Sequence, residues 1–145
     1  MSLLPLLSLV AIENFEREYG VPVYIDPDLP NTAEAHGVFR RRIVVGEQFA
    51  LLPYGQQMAV LLHEFGHHAN WHRLIRWITL PLFWTKWAER MWHQHELEAD
   101  WFTVADGYGA DMAAYLSRCT GPLAADRVVR IRQLLQERIH VAHAA

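Results

Sequence analysis

Residues 63–67 read His-Glu-Phe-Gly-His, a spacing at which two imidazoles and a carboxylate can bind and use a metal ion. On a helix, residues i and i+4 lie one turn apart on the same face, so His63 and His67 can point at one cation. Glu64 lies beside them, within reach of a water on that cation, as the base of a zinc hydrolase does. The apolar run Ala59–Leu62 is typical of a helix that enters a core. The alternative is an ordinary helix with two surface histidines.

A third metal ligand is expected from the segment His-Glu-Leu-Glu-Ala-Asp at residues 95–100, because three protein ligands and one open position are typical of catalytic zinc. Glu96 is the predicted ligand. Asp100, one turn later, is predicted to accept a hydrogen bond from the far nitrogen of a ligand histidine and so to orient its ring. Glu98 is rotated by about 200° from Glu96 and is not expected to share its role. A solvated acidic helix face remains the alternative, and His93 is the rival third ligand.

Several stretches together carry a likeness to a known family: Val21-Pro-Val-Tyr-Ile-Asp, Asn31, Arg42-Ile-Val-Val-Gly, the run from Gln57 to His67, and Glu96-Leu-Glu-Ala-Asp-Trp-Phe. On these residues the chain resembles the gluzincin metallopeptidases of the HtpX and CAAX prenyl endopeptidase type, and it looks most like the small soluble members called minigluzincins. The likeness runs from about residue 21 to about residue 135 and excludes residues 73–93.

The resemblance implies that His63, His67 and Glu96 bind one catalytic Zn²⁺, that Glu64 is the catalytic base, and that Asp100 supports a ligand histidine. It also implies a zinc-dependent endopeptidase of α+β zincin fold. In that fold a thermolysin-like N-terminal subdomain places a small antiparallel or mixed sheet over the active-site helix, and a helical C-terminal part follows.

The resemblance further implies two regions that contact a peptide or protein substrate. In gluzincins an edge strand pairs with the extended substrate, and residues 31–37, beginning with Asn31, hold that position here. The family often ends a later helix with His-Pro followed by an arginine. Here Gly121-Pro122 stands in that place, and Arg127 lies at the matching spacing.

Composition indicates one globular domain, residues 1–145, with 52% hydrophobic and 20% charged residues. The net charge of −3 gives no indication of a nucleic-acid partner. The single cysteine, Cys119, excludes an internal disulfide and is expected to be a small buried apolar group. Because Met1–Ile12 lacks the basic start of a signal peptide and is too short to span a bilayer, a cytoplasmic location is expected, with peripheral membrane contact as an alternative.

Hydrophobic periodicity and turn residues predict the order of the elements. We expect a first helix that ends at Tyr19, three strands, a short helical link, the metal-site helix after Pro53, a second metal-site helix, and two further helices. The predicted strands cover residues 21–25, 33–39 and 41–45, and the link and last helices cover residues 47–52, 111–118 and 126–139. His68 and His72, one turn apart, are expected to face away from His63 and His67 by roughly 100° or more and not to be ligands.

Residues 73–93 form a Trp-rich helical insertion between the two metal-binding helices, and five of the six tryptophans lie between Trp71 and Trp92. We call residues 71–92 the Trp-rich segment. Its uncharged run, residues 77–85, is too short to cross a bilayer, and Pro81 is expected to break the helix. Three roles stay open: packing or self-association, contact with a membrane interface, and a lid that lines the substrate site.

Two other function classes compete with a general peptidase. One is a regulator of the ImmA/IrrE type, with a similar motif pair, which cleaves a single protein partner. The other is a latent or non-catalytic interaction module that zinc stabilises. In a latent form, His140 or His143 of the C-terminal tail would occupy the fourth zinc position.

Overall fold

Six α-helices and a three-stranded sheet form an α+β structure in a computed structural model, which describes the backbone of residues 6–144 and the side chains of residues 8–139. The α+β class is therefore as predicted. The helices are α1 Leu6–Tyr19, α2 Tyr54–Ala69, α3 His72–Thr79, α4 Lys86–Ala105, α5 Gly109–Leu116 and α6 Pro122–Ala144. The strands are β1 Val23–Ile25, β2 Ala33–His36 and β3 Arg42–Val45, and 3-10 turns cover Glu47–Leu51 and Leu80–Leu82.

The sheet has the order β1-β3-β2, with β1 parallel and β2 antiparallel to the central strand β3. Ile43 and Val45 of β3 are fully buried and lie on one face of the sheet, as the two-residue period of a strand requires. β2 is shorter than predicted, because Gly37 has a φ of 78° and turns the chain after His36. Like β1, β2 is an outer strand, and among the described residues its second edge has no strand partner.

Helix α2 lies between two apolar clusters and is almost entirely buried, as the run before the histidine motif predicts. One face packs with α1, the sheet and Phe49, through the buried residues Ala11, Phe15, Ile43, Met58, Leu61 and Leu62. The other face places Ala59 against α5 and α6 through Met112, Leu116, Val128 and Ile131. A helix held on both sides fixes the direction of every side chain in the His63–His67 turn.

Helices α2 and α4 are in close contact at Gly66, inside the histidine motif. A Cβ atom at this position would lie 2.7 Å from the Cα atom of Ala99, far closer than two carbon atoms can pack. Glycine is therefore required at position 66 and a small residue at position 99. The contact brings Glu96, one turn before Ala99, next to the two histidines.

The prediction that His72 faces away from the metal ligands is wrong, because α2 does not continue through it. The helix ends at Ala69, and Trp71 adopts the left-handed conformation with a φ of 57° before α3 begins. This residue redirects the chain. As a result, Nδ1 of His72 lies 3.0 Å from Nδ1 of His67.

The Trp-rich segment is broken near Pro81, as predicted, since α3 ends at Thr79 and a 3-10 turn follows. Its last part, from Lys86, already belongs to α4. Eight large apolar side chains of this segment are exposed: Trp71, Trp77, Ile78, Leu80, Leu82, Phe83, Trp84 and Trp87. Over the part of the chain that the structure describes, no helix has the length and apolar character needed to cross a membrane.

Three further predictions concern Cys119, the last helix and the histidines of the C-terminal tail. Cys119 is exposed rather than buried, because it lies in the turn after α5 and points away from both apolar clusters. Helix α6 begins at Pro122, four residues before the predicted start, and Ile139 of its predicted apolar stripe is 55% exposed. The side chains of His140 and His143 lie outside the described residues.

Candidate metal centre

His63, His67 and Glu96 bring one donor atom each to a single point between α2 and α4, as the sequence predicts. Nε2 of His63 lies 3.1 Å from Nε2 of His67 and 3.2 Å from Oε2 of Glu96. Nε2 of His67 lies 3.4 Å from the other carboxylate oxygen of Glu96, Oε1, and we call these three residues the donor triangle. Both histidines are buried.

The size of this triangle fits a zinc ion. Zinc binds imidazole nitrogen and carboxylate oxygen at about 2.0–2.1 Å in a tetrahedron, so neighbouring ligand atoms lie about 3.3 Å apart. The three observed separations, 3.1, 3.2 and 3.4 Å, lie close to that value, the last two being measured to different oxygens of Glu96. Two imidazoles and one carboxylate are also the donors that zinc prefers at sites with an open fourth position.

Asp100 holds the far nitrogen of His63, as predicted. Its Oδ1 lies 2.8 Å from Nδ1 of His63. Arg127 donates two hydrogen bonds to the same carboxylate, from Nε to Oδ2 at 2.8 Å and from Nη2 to Oδ1 at 2.7 Å. Burial opposes the charge on Asp100, but the bonds from Arg127 and His63 keep its pKa below the usual range. The anion fixes the His63 ring with Nε2 toward the donor triangle.

His67 is supported differently, by another histidine. Its Nδ1 lies 3.0 Å from Nδ1 of His72, whose Nε2 lies 2.9 Å from Oε2 of Glu98. Burial lowers the pKa of His67 to about 4, so the ring is neutral at physiological pH. A neutral imidazole is the form that binds a metal ion.

Two arginines converge on Glu96. Nη2 of Arg76 lies 2.5 Å from its Oε1, and Nη1 of Arg127 lies 3.2 Å from its Oε2. Burial opposes the charge on Glu96, but a hydrogen bond from His63 and the contact with His67 hold its pKa far below the usual range. Glu96 is therefore an anion at physiological pH, and the arginines compensate its charge.

Glu64 lies beside the donor triangle and is not part of it. Its Oε2 accepts a hydrogen bond of 2.7 Å from the backbone N–H of Ala35 in β2. Burial raises the pKa of Glu64 to about 7. A carboxyl group with a pKa near the working pH can both take and return a proton, which suits a general acid–base catalyst.

The donor triangle opens into a cleft with one cavity on each side of Glu64, of about 350 and 380 Å³. Both cavities are lined by His63, Glu64 and Glu96, and both are bordered by Asn31. Arg127 lines the first cavity, and Arg73 and Arg76 line the second. The predicted rim residues Asn31 and Arg127 therefore do border the cleft.

The free edge of β2 faces this cleft. The backbone N–H of Ala35 is held by Glu64, and its carbonyl accepts a hydrogen bond from Nη1 of Arg73. Residues 33–35 all line the second cavity. The backbone groups of Ala35 on this edge therefore face the cleft, where Glu64 and Arg73 hold them.

Other histidines near the motif lie outside the triangle. Nε2 of His68 lies 2.9 Å from the carbonyl oxygen of Arg42, so this ring points to the sheet. His93, the rival third ligand, lines a different cavity on the far side of Glu96. Within the described residues, His93 does not join the group of donor atoms that includes Glu96.

Sequence reasoning did not identify His72, Arg73 and Arg76 as parts of the site. Arg73 and Arg76 are three residues apart on α3, a spacing that places both on one helix face. That spacing was the available signal for the pair. No local pattern in the sequence predicts that His72 faces the site, since the direction of its side chain depends on the left-handed conformation of Trp71.

The protonation of His63 leads to a prediction about pH. Burial and Arg127 oppose protonation of this ring, but Asp100 and Glu96 outweigh them and raise its pKa to about 9. Zinc binding must displace that proton, so apparent zinc affinity should rise about tenfold per pH unit between about pH 7 and 8.5. A histidine with an ordinary pKa of about 6.5 is already neutral there and would give a flat profile.

Competition with a chromophoric chelator at several pH values measures this slope. The matched control is Asp100→Asn, which removes the nearest anion from His63, lowers the pKa of the ring, and should make the slope shallower even where overall affinity falls. A flat profile for the unmodified protein would show that His63 binds zinc without releasing a proton in this range.

Comparison with models of protein families, with curated proteins and with solved structures finds no match to this chain.

Proposed function

We propose that the protein is a zinc-dependent endopeptidase of the gluzincin type, with a zincin fold. The observation that carries the proposal is the donor triangle of His63, His67 and Glu96, whose sides of 3.1–3.4 Å match a tetrahedral zinc site. Glu64 lies directly beside it, at the mouth of a cleft bordered by a free strand edge.

In this proposal His63, His67 and Glu96 hold the ion, and Asp100 and His72 hold the two rings. A bound Zn²⁺ supplies a Lewis acid that polarises the scissile carbonyl and lowers the pKa of water toward ~7. Glu64 takes the proton of the attacking water and returns it to the leaving amine, so that no proton is gained or lost overall.

The substrate we propose is an extended stretch of peptide that lies along β2. The N–H and carbonyl groups of Ala35 can exchange their present partners, Glu64 and Arg73, for main-chain groups of the peptide. Asn31 borders both cavities, and Arg127 is fixed by Asp100 at the edge of one of them. Both side chains can therefore donate hydrogen bonds to peptide carbonyls on either side of the cut.

A digest of a denatured protein mixture tests the proposal. Zinc-loaded protein should produce many new N-termini, chelation should stop their formation, and added zinc should restore it. If protein with one zinc ion per chain produces no new N-terminus, the endopeptidase proposal is wrong. Cleavage of one protein at a single site would instead identify a dedicated regulator of a single partner.

A further inference from the structure

We propose that His72 and Glu98 are positioning residues that fix the ring of His67 in the one tautomer able to bind the metal ion. The inference rests on the proposed zinc site and adds to it. The chain of contacts runs from Nδ1 of His67 to Nδ1 of His72 over 3.0 Å, then from Nε2 of His72 to Oε2 of Glu98 over 2.9 Å.

Only one arrangement of protons satisfies both contacts and leaves His67 free to bind zinc. Glu98 is an acceptor when ionised, so Nε2 of His72 must carry the proton and donate it. A neutral His72 then has a lone pair on Nδ1, which accepts a hydrogen bond from Nδ1–H of His67. Nε2 of His67 is left with its lone pair, and this is the atom that faces Glu96 and His63.

The surroundings of His72 hold its ring in this orientation. His95 stacks on His72 with ring centres 4.1 Å apart and planes inclined by 6°.

Burial makes the middle of this hydrogen-bond chain, His72, rigid. The end of the chain, Glu98, is open to solvent. His72 is 1% exposed, whereas the side chain of Glu98 is 43% exposed. The rings of His63 and His67 are thus oriented by different groups. His63 has a buried carboxylate in direct contact, and His67 has a carboxylate one imidazole away, near solvent. The acceptor on His72 is therefore the group on which the proposal depends.

A pair of substitutions at position 72 separates this role from simple packing. The side-chain oxygen of asparagine can lie where Nδ1 of histidine lies, so His72→Asn keeps an acceptor for His67. Glutamine reaches the position of Nε2 instead, so His72→Gln keeps the contact with Glu98 and loses that acceptor. His95→Phe is the matched control, because it keeps an aromatic ring on His72 and changes none of the contacts in the chain.

Zinc affinity, measured by chelator competition, should fall about 10–100-fold in His72→Gln and only a few-fold in His72→Asn and His95→Phe. Thermal unfolding of the metal-free variants shows whether each is folded. Equal affinities for His72→Gln and His72→Asn, whether both are weak or both are unchanged, would overturn the positioning role.

A second measurement does not depend on zinc binding or peptidase activity. Nitrogen-15 NMR of the metal-free protein should show His67 protonated at Nδ1 and His72 protonated at Nε2. These tautomers in a protein that fails to bind zinc would refute the metal site and leave the hydrogen-bond chain in place. The opposite tautomer at His67 would overturn the chain whether or not zinc binds.

Discussion

Replacing Glu64 by glutamine is expected to lower peptide hydrolysis by about 10³-fold and to leave zinc bound. Glutamine has the size of glutamate, and its side-chain oxygen can still accept the hydrogen bond from the N–H of Ala35. It cannot take a proton from water at any pH at which the protein is folded. Because Glu64 contributes no atom to the donor triangle, the metal site is unaffected.

The measurement is the initial rate of cleavage of a fluorogenic peptide, with zinc content determined on the same samples. Glu137→Gln is the control, because this exposed carboxylate on α6 lines neither cavity of the cleft. This variant should cleave at close to the original rate. Full hydrolysis by zinc-loaded Glu64→Gln would mean that another group acts as the base.

Glu96→Ala is expected to weaken zinc binding by more than about 100-fold. The substitution removes one of three ligands and also leaves Arg76 and Arg127 without the carboxylate that they share. The guanidinium group of Arg76 then lies uncompensated beside the imidazoles and repels an approaching cation, whereas Arg127 keeps its bonds to Asp100. Zinc affinity should therefore fall further than it would if the removed ligand had no cationic neighbour.

Metal analysis after dialysis against a weak chelator measures the retained zinc. His93→Ala, which alters the rival ligand on the same helix face, is the control and should keep one ion per chain. If His93→Ala loses the ion and Glu96→Ala retains it, the third ligand is His93 and the donor triangle is incorrectly assigned. Arg76→Gln provides a further comparison, because it removes a positive charge from Glu96 and should not reduce zinc affinity.

The centre of the site could be predicted from the sequence because its geometry is local. His63 and His67 share a helix face by spacing alone, and the same rule relates Glu96 to Asp100. That the two pairs meet depends on one short contact, Gly66 against Ala99, and both small residues are visible in the sequence. The order of the strands and helices followed from hydrophobic periodicity, with errors mainly at element ends, such as β2 and α6.

The surroundings of the site could not be predicted, because they depend on how the chain turns after α2. A continuous helix would have carried His72 away from His67, and tryptophan gives no indication of a left-handed residue. Once the chain turns at Trp71, one short helix brings His72, Arg73 and Arg76 back to the cleft. The exposure of Cys119 was missed for a related reason, since periodicity does not describe the turn after a helix.

The clustering of tryptophans has a practical consequence for spectroscopy. Five of the six lie between residues 71 and 92, and the sixth, Trp101, is on the same helix as the end of that stretch. Neither α1, the sheet nor α2 contains an indole. Intrinsic tryptophan fluorescence would therefore report the unfolding of the region formed by α3 and α4. Circular dichroism would report the loss of all the helices. Melting curves recorded by the two methods need not coincide. The difference between their midpoint temperatures would measure how independently the region of α3 and α4 unfolds.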